Sequence, residues 1–170
     1  RSIYEEVSRA VLDDEMWPIL RSEPNCLPLD RARFRIGEGD WHGPEEILRI
    51  DRMVREALSL KPRGGAMFQP WARAPREDGP QISVELRYTF EATSLPTGGL
   101  YLGLEQPHRF GIAVNGVEIT ADMDSGWWVD PSLRKIPINA SLLRRGTNEI
   151  ALSGVYDEAY PGLEIVYLLG

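Results

Sequence analysis

The stretch ISVELRYTFEAT, residues 82–93, alternates between apolar and polar side chains without a break. Ile82, Val84, Leu86, Tyr88, Phe90 and Ala92 fall on one parity, and Ser83, Glu85, Arg87, Thr89, Glu91 and Thr93 on the other. Successive side chains of a strand point to opposite faces, so this is a long strand with one face in a core and one in water. A helix cannot use the pattern, because a period of two scatters apolar residues around every side of a 3.6-residue turn. A strand of this length needs sheet partners and a second layer over its apolar face.

The rest of the chain supplies such partners. In RFGIAVNGVEI, Phe110, Ile112 and Val114 alternate up to Asn115-Gly116, and Val117 and Ile119 follow. Asn-Gly between two such runs predicts a hairpin closed by a type I′ turn, in which both central residues need positive φ. Further strands are expected over 100–106, 109–114, 117–120, 127–138 with a break at Pro131, 149–153 and 163–169. Turn signals separate them at 96–99, at Gly146 and at Pro161-Gly162. Closely spaced short strands with such turns predict a mainly β chain folded as an antiparallel sandwich.

The first third reads differently. Ser2 and Glu5 form a capping box ahead of Ile3, Val7, Ala10 and Val11 at helical spacing. NCLPLDRARFRI is extended, but its apolar parity changes between Leu29 and Ala32, which calls for a bulge or kink near Asp30. Pro44, Glu45 and Glu46 then suit the first turn of a helix over 44–60. Ile47, Ile50 and Val54 form its apolar stripe, with Glu45–Arg49 and Asp51–Arg55 pairs on its wet side. In LEIVYLLG both parities are apolar, so the final strand needs a cover on each face. The 44–60 helix is the expected outer cover, packed on the sheet that holds that strand. The reading is one domain over 1–170, with 1–80 as an N-terminal extension and 81–170 as the sandwich core.

The pieces YTF, LYLGLE, IAVNGVEI, SGWWVDPS, RKIPI and RRGTNEIAL follow one another in an order that resembles the galactose-binding-like jelly roll accompanying glycoside hydrolases. The likeness is to the sugar-binding domain of the family 2 β-galactosidase and β-glucuronidase group. It covers 82–170 well and 25–41, around PNCLPLDRARFRIGEGDW, loosely. The 44–60 helix and the helical N-terminus depart from it. The resemblance implies a non-catalytic module whose partners are carbohydrate and the catalytic domain of the same longer chain. In that family the catalytic carboxylates belong to a separate barrel domain. Jelly rolls of this kind often carry a structural calcium held by backbone carbonyls; no side-chain pattern here indicates one, and no cofactor is expected. The chain opens with Arg1 and stops in an apolar run, as an excised piece of a longer protein would, which leaves its location open.

Chemistry read from the residues agrees with a binding role. A net charge of −7 argues against nucleic acid, which needs a clustered basic surface. Arg31, Arg33 and Arg35 line one side of a strand and are expected to be a solvated face. No apolar run approaches a membrane span. Cys26 stands alone in PNCLPL and is expected to be a small buried side chain. His42 and His108 lie far apart, and the loop starting at Asp122 has Leu133, not a carboxylate, at position twelve. Ser125 and Ser153 lack a nucleophile elbow. Glu105, Asp124, Asp130, Asp157 and Glu158 could sit at strand ends as a glycosidase pair, but nothing marks out two of them.

Aromatic residues are the better candidates, since sugar rings stack apolar C–H faces on indoles beside polar groups. Trp127 and Trp128 are adjacent, so in a strand one should fill the core and the other should stand open. The candidate carbohydrate-contacting residues are Trp127, Trp128, Asp130, Trp71 and Tyr156; Trp41 and Tyr160 also lie in loop-like sequence. A protein–protein interaction sandwich without sugar affinity is the alternative, and a self-sufficient glycosidase a further one.

Overall fold

A computed structural model of the chain describes residues 8–9, 22–61, 79–121, 125–158 and 162–170. The capping box at Ser2, Trp71, Asp124 and Tyr160 lie outside these residues. Among the described residues the protein is mainly β, built on two antiparallel sheets.

The alternating run forms β4 (Ile82–Ala92), paired along its whole length with β10 (Gly146–Tyr156). β6 (Phe110–Val114) and β7 (Val117–Ile119) form the hairpin on the far side of β10. On the other side lie β2 (Arg31–Ile36) and β3 (His42–Glu46), so the six-stranded sheet runs β3-β2-β4-β10-β6-β7. The second sheet has five strands. These are β1 (Cys26–Leu29), β11 (Val166–Leu169), β5 (Leu100–Glu105), β9 (Asp130–Ile138) and β8 (Trp127–Trp128), in that order. One apolar cluster joins Leu86, Tyr88, Ile112 and Ile150 of the first sheet to Leu102, Ile136 and Val166 of the second, as in a β-sandwich.

The parity change near Asp30 has a larger meaning than a bulge. β1 pairs with β11 in one sheet, and β2 pairs with β4 in the other. Asp30 is where the chain crosses between layers, so Leu29 and Ala32 both face the shared core from opposite sides. Residues 26–46 are therefore woven into both sheets.

The helix is shorter than its spacing predicts. α1 spans Ile47–Ala57, and HGPEE forms the edge strand β3 instead of a first helical turn. Proline is tolerated on an edge strand, and Glu46 becomes the N-cap, its Oε1 accepting from the Leu48 N–H at 3.2 Å. At the other end the Ser59 N–H donates to the Glu56 carbonyl and the Leu60 N–H to the Arg55 carbonyl. This is a Schellman stop with Ser59 at φ 56° where glycine is usual.

The helix does not cover the outer face of the sheet holding the last strand. Ile47, Ile50 and Val54, all fully buried, join the core shared by both sheets, and α1 packs near β2 and β3. Nor are Asp51 and Arg55 on a wet side. Asp51 Oδ1 accepts from Tyr156 Oη at 2.8 Å and from the Leu163 N–H at 2.9 Å, while Arg55 Nε donates to the Lys61 carbonyl at 2.7 Å. The two buried bonds to Asp51 fasten the helix to the end of β10 and to the segment leading to β11. The expected Glu45–Arg49 pair does form, at 3.7 Å, and Arg52–Glu56 makes an exposed pair at 2.9 Å.

The hairpin turn has the expected form, with Asn115 at φ 49° and Gly116 at φ 81°. Asn115 also reaches back into the fold. Its Nδ2 donates to Asn148 Oδ1 at 2.8 Å and to the Leu142 carbonyl at 2.7 Å. Asn148 is fully buried and satisfied in turn by the Arg144 N–H and the Arg144 and Gly146 carbonyls.

Candidate functional site

Trp127 and Trp128 make the short strand β8, whose pairing with β9 slips between them: Trp127 opposes Arg134, and Trp128 opposes Asp130. The chain reverses on Val129, so the break falls there and not at Pro131, which lies inside β9. Val129 is held at φ 62° and is 71% exposed. A β-branched residue rarely takes this left-handed backbone, which costs about 1–3 kcal/mol and persists where its surroundings impose it.

The turn sets out its neighbours in a definite order. Trp127 is 52% exposed. Trp128 is half-buried, edge-on to Tyr167 with ring centroids 5.5 Å apart. Neither indole fills the core: Tyr167 alternates with Val166 and Leu168, so Trp128 rests on the outer face of the five-stranded sheet. Among the described residues, the buried Nε1 of Trp128 has no hydrogen-bond partner.

Asp130 is exposed, and its Oδ1 accepts from the Ser132 N–H at 2.8 Å. Bonds from the Ser132 backbone and side chain hold its carboxyl below the usual range. Ser132 Oγ also donates to Glu105 Oε1 at 3.1 Å, so one serine ties two of the candidate carboxylates together. Burial first, and then the negative charges of Cys26, Glu164 and Glu105, push the Tyr167 hydroxyl up. The turn thus combines an open indole with two anionic acceptors. It can stack on a ring and accept hydroxyl hydrogen bonds.

The remaining candidates lie elsewhere. Tyr156 is 2% exposed and spends its hydroxyl on Asp51, so it belongs to the interior and not to a sugar-contacting surface. Its alternation in β10 puts it on the core parity, which the loop-like appearance of VYDEAY conceals. Asp157 pairs with Arg109 at 3.5 Å. Cys26 is exposed on edge strand β1, contrary to the expected buried thiol, and partial burial raises its pKa. Among the described residues, no group of His, Cys, Asp and Glu is placed to hold a metal, and no helix is long and apolar enough to cross a membrane.

A second surface was not legible as a site. Arg33 and Arg35 do point outward, but they are not simply solvated. With Arg87 they surround Trp41, their Cζ atoms 5.9, 5.4 and 4.4 Å from its ring centroid. Next to this cluster is a hollow of about 170 Å³ on the outer face of the six-stranded sheet, bordered by Gly111, Ala113, Ala151 and Ser153. The outward parity of β2 and β4 announced each arginine singly; the strand register that gathers them was not readable. A larger hollow of about 330 Å³ lies between β2, β3 and α1, but it offers one imidazole, His42, and one carboxylate, Glu45.

Comparison of the chain with protein-family models finds no match, and comparison with curated proteins finds none either.

Proposed function

We propose that this domain is a non-catalytic, carbohydrate-contacting β-sandwich of the galactose-binding-like jelly-roll type, accessory to the catalytic domain of a multidomain glycoside hydrolase. The observation that carries the reading is the open indole of Trp127 beside the exposed Asp130, on a turn pinned by left-handed Val129. An indole offers a face to the C–H side of a pyranose, while Asp130 and Glu105 offer acceptors to its hydroxyls. One indole on an open surface supports weak binding, with a Kd on the order of 1 mM. The resemblance in the order of the strand motifs supplies the context of a larger glycosidase.

Calorimetry with galactose, glucose, mannose and their short β-linked oligomers tests the reading. At least one should bind the parent domain, Trp127→Ala should abolish that binding, and both proteins should melt alike. Failure of every glycan would overturn it. Val129 favours a second reading, a protein partner docked on the turn, because an exposed isopropyl group beside an exposed indole makes a small apolar knob. Under that reading Val129→Asp would weaken association with the neighbouring domain while no sugar binds. Turnover of chromogenic glycosides by the domain alone would assign it a reaction of its own.

A further inference from the structure

Strand register sets Arg33, Arg87, Ala151, Ala113 and Glu118 in one row across the outer face of the six-stranded sheet. The next row reads Arg35, Glu85, Ser153 and Gly111. Arginine stands at one end of the first row and a carboxylate at the other. Three strand spacings of about 4.8 Å separate Arg87 from Glu118, roughly 14 Å in all. Between them the side chains shrink to Ala151, Ala113 and Gly111, and the surface sinks into the hollow of about 170 Å³. That is well under the roughly 300–1,000 Å³ of a drug-sized pocket and suits a single ring-sized unit.

The charges in and beside this hollow are unequal in their partners. Arg35 is held by Glu85, its Nε donating to Oε1 at 3.0 Å. Among the described residues, Arg33 and Arg87 pair with no carboxylate and lie over the indole of Trp41. A guanidinium laid on an aromatic ring keeps its N–H edge free and loses little further freedom on meeting an anion. An acidic chain of net charge −7 thus holds two cations on Trp41 beside a hollow that Arg87 and Trp41 line, with no carboxylate paired to them among the described residues.

We infer that this hollow binds the anionic unit of an acidic carbohydrate, a carboxylate- or sulfate-bearing sugar ring, with Arg33 and Arg87 on the anion. Glu85, Glu118 and Ser153 line the same hollow and accept hydroxyl hydrogen bonds. This mixture fits one anion surrounded by hydroxyl groups. An acidic peptide would bring carboxylate after carboxylate against Glu85 and Glu118, with no hydroxyls for them to accept. The site lies on the opposite sheet from Trp127, and the inference does not rest on the reading of that turn.

The test is titration of the whole chain, followed by calorimetry and tryptophan emission, with four probes: trigalacturonate, a sulfated galactotriose, neutral galactotriose and hexaglutamate. At least one acidic trisaccharide should bind, more weakly as salt screens the charges. Which one binds identifies the anion. Neutral galactotriose should not bind in this hollow. The double variant Arg33→Gln/Arg87→Gln should lose at least about tenfold in affinity through the lost charge-assisted bonds. Ala151→Leu, which fills the hollow and keeps every charge, should lose as much, so a fold defect in one variant leaves the other informative. The inference is overturned if neither acidic trisaccharide binds, if hexaglutamate binds as tightly, or if binding survives both the arginine and the Ala151 substitutions.

Discussion

The outer faces of the two sheets follow the same two-residue period and carry opposite surfaces. On the five-stranded sheet the outward parity brings Tyr101, Gly103, Tyr167 and Leu169 together. Leu169 is fully buried there, and a Cβ on Gly103 would lie 3.3 Å from the Cβ of Tyr167. On the six-stranded sheet the same parity brings Arg87, Ala151, Ala113 and Glu118 together, and Gly111 is exposed. Alternation therefore says which face a residue is on, but not whether that face is wet. The second parity says that. It is polar along β4 and apolar along β11, and only the apolar one marks a covered outer face.

The most severe way to break the comparison is to remove the strands that join both sheets to the first third of the chain. Deleting residues 1–62 takes β1 from one sheet, β2 and β3 from the other, and the Ile47–Ile50–Val54 stripe from the core. The product should be insoluble or loosely packed. A soluble fragment with a cooperative melt would show instead that the later strands form a self-sufficient unit.

The faces themselves are tested by a matched pair of substitutions. Leu169→Ala should cost about 2–5 kcal/mol, as for a buried leucine in a core. Ala151→Thr, on the outward parity of the other sheet, should stay within about 0.5 kcal/mol of the parent. Denaturant melts of the two side by side decide the matter, and similar losses in both would erase the distinction.

Next in size is the polar knot behind the hairpin. Asn148→Ala leaves the side chain of Asn115 and the backbone groups of Arg144 and Gly146 short of partners. Each buried group left unsatisfied costs about 1–3 kcal/mol. The hairpin should loosen before the five-stranded sheet does, which hydrogen exchange at β6 and β7 against β5 and β11 can read. Uniform loss of protection across both sheets would contradict a local knot.

This knot shows where legibility ended. Asn115-Gly116 announced the turn, because positive φ at two successive residues is a local demand. Nothing local announced that the Asn115 side chain would bond Asn148, 33 positions away. The crossing at Asp30 was legible as a parity break, but a parity break alone does not say that two sheets are involved. The helix start was misread because Pro44-Glu45-Glu46 satisfies both a first helical turn and an edge strand, and pairing with β2 decided between them. In the candidate turn, Trp127 and Asp130 were readable as types of residue. The strained Val129 between them, and the cage of arginines around Trp41, depend on register and were not.

The smallest effect concerns Cys26, which sits on the outward parity of β1 opposite Leu169. Partial burial raises its thiol pKa, so folding favours the protonated form. That contribution is fully present below the ordinary thiol pKa and is lost as pH rises through the higher folded value. Because Cys26 is exposed, the readout is reactivity, not stability. The alkylation rate against pH should have its midpoint above that of a free cysteine, and a midpoint at or below it would mean that β1 does not shelter the thiol.

The central claim, that the Trp127 turn contacts carbohydrate, is tested most directly by the nitrogen-15 spectrum of the indole N–H groups. The chain has 5 tryptophans, assignable by single Trp→Phe substitutions. Titration with neutral β-linked galactose and glucose oligomers should move the Trp127 signal and leave that of Trp41, on the opposite sheet, in place. A titration in which no neutral oligomer shifts Trp127, or in which Trp41 moves in its stead, would contradict the account.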